Sequence, residues 1–70
     1  MRDSVITLYG ANDVILSQVT LPACKRFSIQ AARNQRKLDV MYLQHPSAIR
    51  ATIDNYDFFF KNGKSQCIIP

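Results

Sequence analysis

The chain has no glutamate. All five of its acids are aspartates: Asp3, Asp13, Asp39, Asp54 and Asp57. It has two glycines, Gly10 and Gly63, one histidine, His45, and two cysteines, Cys24 and Cys67. Each shortage excludes something. Two isolated glycines make no loop that could cradle a phosphate. One histidine and two cysteines at no ligand spacing offer no zinc site, so neither a metal nor a cofactor is expected. The cysteines stand outside any C-x-x-C context and read as small core residues. His45 precedes Pro46 in a turn and reads as an exposed loop residue rather than a base. Asp54 and Asp57 have no second cluster of acids or histidines beside them. Catalysis needs an activated group in a pocket; the sequence supplies none, and the chain is expected not to be an enzyme.

Long apolar runs are also missing. No stretch approaches the roughly 20 apolar residues of a membrane span, and Met1-Arg2-Asp3 leads into a short alternating segment unlike a signal peptide. A cytoplasmic protein with reduced, unbridged cysteines and no membrane partner is expected. Seventy residues make one small domain, 1–70. A chain of this size buries only roughly 60% of its unfolded surface. Such chains lean on disulfides, a metal or a partner subunit, and with the first two set aside a homo-oligomer is expected.

What the chain does have is lopsided charge. Nine cations against five acids give a net charge of +4. No acid falls between Val14 and Leu38, yet Lys25, Arg26, Arg33, Arg36 and Lys37 all do. A solvated helical face usually mixes both signs. A single-sign stripe produces a positive field that favours phosphate or an acidic partner.

The local signals give a map. Val5 to Tyr9 and Val14 to Val19 are rich in Val, Ile, Leu and Tyr, and Gly10-Ala11-Asn12-Asp13 separates them, which reads as a hairpin over residues 1–20. Thr20 fits a helix N-cap and Pro22 a first helical turn. A basic helix is expected over residues 21–37. At about 100° per residue, the five cations share one face. Ala23, Cys24, Phe27, Ala31 and Leu38 fall on the opposite, apolar face.

From Leu38 onward two readings stay open. Leu38, Val40 and Tyr42 alternate with Asp39, Met41 and Leu43, as in a strand covered on both faces. Ile49, Ala51 and Ile53 alternate with Arg50, Thr52 and Asp54, as in a half-buried strand. Ile49, Ile53, Tyr56 and Phe60 equally fit an amphipathic helix over 47–61, which would make the chain ββαβα. Asn62-Gly63 between two apolar runs is a strong hairpin signal, and Phe58-Phe59-Phe60 favours strand.

A resemblance to a known family spans roughly residues 30–69. Ala32-Arg33 and Arg36 are followed by Tyr42-Leu43, Ile49, Ile53-Asp54 and Tyr56-Asp57, then by Lys61-Asn62 and Ser65-Gln66-Cys67-Ile68-Ile69. This order resembles the bacterial Sm-like RNA chaperone family, Hfq, with Pro46 and Ala51 standing where the family has glycines. The resemblance implies an α+β, mostly β fold. An N-terminal hairpin and one basic amphipathic helix would lead into a strongly bent small sheet of Sm-like type over 38–70, with Tyr42-Leu43 ending a strand. It also implies a base-stacking role for Tyr42, an aromatic near a base pocket at Tyr56, and a basic rim at Arg33 and Arg36.

Phosphate contacts give affinity without sequence choice, and exposed rings let bases stack. Lys25, Arg26, Arg33, Arg36, Lys37, Tyr42, Arg50 and Tyr56 are therefore the candidate nucleic-acid-binding residues. The expectation is a non-catalytic, Hfq-like RNA-binding protein, acting as an oligomeric RNA chaperone or regulator. The alternative is a small interaction module or inhibitor that sets its basic helix against an acidic protein surface.

Overall fold

A computed structural model describes residues 2–68. The fold is α+β: an N-terminal β-hairpin, one helix, then three strands, all five strands joining one antiparallel open sheet. The elements are β1 (Ser4–Tyr9), β2 (Ile15–Leu21), α1 (Phe27–Gln44), β3 (Arg50–Ile53), β4 (Tyr56–Lys61) and β5 (Lys64–Cys67). The strands lie side by side as β2-β1-β3-β4-β5. Strand β1 pairs with β2 next to it in the chain and with β3 across the helix, Ile6 opposite both Val19 and Ile53.

Alternation sorts the sheet into two faces. Ser4, Ile6 and Leu8 of β1, Ala51 and Ile53 of β3, and Phe58 of β4 are buried on one face. Leu38 and Met41 of α1 join them in the core, with Ala48. Ser4 Oγ accepts hydrogen bonds from Gln30 Nε2 and Asn34 Nδ2, both at 3.0 Å. Gln30, Asn34, Leu38 and Met41 are four, four and three residues apart, so one helical stripe faces the sheet. Thr7, Tyr9, Arg50, Thr52, Asp57 and Phe59 belong to the face turned away from the helix.

Turn residues make the reversals. Asn12 and Asp13 adopt left-handed backbone (φ 59° and 58°) in the β1–β2 loop, as Asp54 does between β3 and β4 and Asn62-Gly63 between β4 and β5. These residue types tolerate that conformation. Asp54 adds a tie to β1: its N–H donates to the Val5 carbonyl and its Oδ1 accepts from the Val5 N–H, both at 2.9 Å.

The helix departs from the sequence expectation at both ends. It begins at Phe27 rather than residue 21, because β2 continues to Leu21 to pair with the full length of β1. Thr20 is therefore a strand residue, and Arg26 occupies the N-cap without a side-chain cap. The helix then runs on to Gln44, so Leu38 to Leu43, Tyr42 included, are helical and not a strand. The helical period through Gln30 and Asn34 continues in Leu38 and Met41 and outweighs the local alternation. Pro46 ends the helix by disfavouring helical backbone at His45. The His45 N–H bonds to the carbonyls of Met41 and Tyr42, and the residue is half-buried rather than exposed. The alternative helix over 47–61 is absent: β3 and β4 occupy that stretch. Ile69 of the Hfq-like stretch, and Met1 and Pro70, lie outside the described residues.

Candidate nucleic-acid interface

The two flanks of α1 differ in character. Arg33, Arg36, Lys37 and Val40 lie on the flank toward β2. With Leu21 of that strand they line a shallow groove of about 260 Å³. The helix's one acid, Asp39, lies on the other flank, where it accepts hydrogen bonds from Gln35 and Ser65. Among the described residues the ion pairs are those of Arg50, with Asp13 at 3.0 Å and Asp57 at 3.3 Å. The helix cations thus have no acidic partner there. Unneutralised charges converging over an apolar floor can take phosphate oxygens while their alkyl stems rest on Leu21 and Val40.

The other candidates fall elsewhere. Lys25, just before the helix, and Tyr56, at the start of β4, line a second pocket of about 420 Å³. It opens on the flank of α1 away from the basic groove. Tyr56 is 66% exposed and Phe27, in the same pocket, 85%. Ser4, Gln30 and Asn34 also line it, and Gln30 Oε1 is buried there without a hydrogen-bond partner. Such an orphan costs about 1–3 kcal/mol. Arg26 is exposed at the helix start.

Tyr42 does not present itself as a base-stacking platform. It is half-buried, and its ring stacks on Phe60 at 3.9 Å between centroids, 5° from parallel. The reason is the longer helix, which turns Tyr42 toward the helix-covered face of β4. Arg50 lies on the opposite sheet face, its guanidinium 4.2 Å above the Tyr9 ring. The hydrogen bond to Asp13 is the main influence holding it charged, with the fields of Asp13 and Asp57 adding to it. With both carboxylates engaged, Arg50 has less charge to offer a phosphate than the helix cations.

The structure therefore brings Arg33, Arg36 and Lys37 together, sets Lys25 with Tyr56 in a separate pocket, and removes Tyr42 from the surface set. Sequence reasoning missed Leu21 and Val40 as groove walls and Phe27 as a pocket wall. Val40 was legible at helical spacing from Arg33, Arg36 and Lys37. Leu21 was not, since only the sheet brings it beside the helix. Among the described residues no three His, Cys, Asp or Glu side chains cluster to hold a metal, and no helix is long and apolar enough to cross a membrane. No family model, no curated protein and no solved structure matches the chain.

Proposed function

We propose that the chain is a non-catalytic RNA-binding protein of Sm-like type, a cytoplasmic chaperone or regulator that works as a homo-oligomer. It would hold single-stranded RNA along the β2 flank of α1. The observation that carries this reading is the groove in which Arg33, Arg36 and Lys37 converge without an acidic partner among the described residues. A helix packed on five antiparallel strands supports the Sm-like part, since the hairpin brings the sheet to five. Homo-oligomer formation draws support from the exposed apolar side chains of Val14, Ile15, Leu43 and Ile49. Of the two candidate tyrosines Tyr56, with Phe27 beside it, is exposed enough to stack on a base and Tyr42 is not; that pair of rings lies across α1 from the basic groove.

Fluorescence anisotropy with labelled single-stranded RNA tests the reading. The double variant Arg33→Ala/Arg36→Ala should bind more weakly. Its slope of log affinity against log salt should flatten by about 0.7 for each phosphate that the variant leaves unneutralised. No detectable binding by the parent protein at low salt would sink the proposal. The second reading, a helix docked on an acidic protein surface, draws on Phe27 and Leu43, 85% and 79% exposed at the two ends of α1. Purified protein free of nucleic acid and unable to bind RNA would favour it.

A further inference from the structure

The two edges of the sheet are built differently. Strand β5 is four residues long and carries Lys64, with Lys61 facing it across the turn. Short length and lysine are common protections against strand pairing. Strand β2 is seven residues, Ile15-Leu-Ser-Gln-Val-Thr-Leu21, and has no charge. It is the longest strand among the described residues and it lies at an edge.

The direction of its free backbone groups can be derived. The carbonyls of Val5 and Tyr9 in β1 accept from Asp54 and Ile49, on the β3 side. By alternation Ile6 and Leu8 bond toward β2, to their partners Val19 and Ser17. Gln18 and Thr20 therefore turn their N–H and C=O groups outward from the sheet. Leu16 is the extra residue at the irregularity opposite Leu8 and Tyr9, and Pro22, beyond the strand, has no N–H to give.

We propose that this edge pairs with the same edge of a second copy, antiparallel, with Val19 opposite Val19 on a two-fold axis. In that register Gln18 faces the second copy's Thr20, and the reverse. Every outward N–H and C=O of these residues is then satisfied in four bonds. The irregular Leu16 meets the second copy's Pro22, a position with no donor. The strand is thus complementary to itself, as a two-fold interface requires. The axis stands perpendicular to the sheet, so both helices lie on the same side of a ten-stranded sheet. The Leu21–Val40 grooves then border the seam from both sides, and six cations, Arg33, Arg36 and Lys37 from each copy, line one trough. The trough's use as an RNA channel rests on the function proposed above; the pairing does not. Repulsion across the seam makes the dimer tighten when salt or a polyanion screens it.

Sedimentation velocity and disulfide trapping test this. The parent should reach twice the 8.0 kDa chain mass, at lower protein concentration when single-stranded RNA or moderate salt is present. Gln18→Pro removes an outward N–H that has no partner within the monomer, and Gln18→Lys adds edge charge. Each should weaken the dimer about tenfold or more, with circular dichroism showing the fold retained. In a Cys24→Ser/Cys67→Ser background, Val19→Cys should cross-link on mild oxidation. Non-hydrogen-bonded antiparallel partners sit about 4.5 Å apart at Cα, within reach of a disulfide. Ser17→Cys and Gln18→Cys should not cross-link. A parent that stays monomeric with and without RNA overturns the proposal, as does an oligomer indifferent to both Gln18 variants. A cross-link at Gln18→Cys in preference to Val19→Cys overturns the register. RNA binding by a strict monomer leaves the RNA-binding part of the functional reading standing and removes the dimer together with the homo-oligomer; a dimer that ignores RNA keeps the pairing and removes the RNA reading.

Discussion

At the scale of single residues, a side chain's surroundings decide which measurement it moves. Tyr42 and Arg33 were both candidate RNA-binding residues, yet their structural positions separate them. Tyr42 stacks on Phe60 against the core. Tyr42→Ala should cost about 2–3 kcal/mol in a urea titration, toward the lower end for a large core aromatic because the ring is only half-buried. Any fall in RNA binding should then track unfolding. Arg33 and Arg36 are exposed, so their alanine variants should stay within about ±0.5 kcal/mol of the parent. Ser4 is a quieter case. Its hydroxyl oxygen accepts from both Gln30 and Asn34 under the helix. Ser4→Ala strands buried donors and should cost about 1–3 kcal/mol, measured in the same titration.

At the scale of elements, the turns were legible because their chemistry is local. Asn62-Gly63 announced the β4–β5 hairpin, and Gly63 does sit at φ 76°. An added Cβ there would meet nothing within 4 Å, so Gly63→Ala should cost about 1–2 kcal/mol from backbone strain alone, read as a lowered urea midpoint. The hairpin of β1 and β2 was legible for the same reason. The limits of α1 were not, because partners distant in sequence set them. Thr20 carries the side chain of an N-cap, but pairing β2 with all of β1 keeps it extended. Leu38 to Leu43 alternates like a strand and also continues a helical stripe; only the sheet beneath Leu38 and Met41 decides between them. The choice between strand and helix at 47–61 rests likewise on β1, which pairs with β3 from more than forty residues upstream. The candidate site followed the same division. Its cations could be read from their helical spacing, whereas its apolar floor at Leu21 needed the tertiary fold.

At the scale of the whole molecule, one helix covers one face of a five-stranded sheet, and that helix, with Arg33, Arg36 and Lys37 against Asp39, carries half of the net charge of +4. Association with a polyanion should therefore raise apparent stability by mass action. Thermal melts with increasing single-stranded RNA should show a rising midpoint for the parent and a smaller rise for Arg33→Ala/Arg36→Ala. The place of β1 between β2 and β3 also sets an order of events in time. Its partner β2 follows within a few residues, and a hairpin closes in about 1–10 μs. Its other partner, β3, lies beyond the entire helix, so that pairing must first close a long loop. On a ribosome adding about 5–20 residues per second, the hairpin waits seconds for Ile53 to arrive. Until α1 has emerged Ile6 and Leu8 have no helix over them, and throughout the interval β1 is open along its second side. The folding barrier should accordingly sit at the joining of β1 to β3. In stopped-flow experiments Ile53→Val should slow refolding, while Phe60→Leu, farther from the junction, should mainly speed unfolding. The nascent hairpin is then the species most exposed to mispairing, and a chaperone holding the emerging chain would be expected to act before β3 appears.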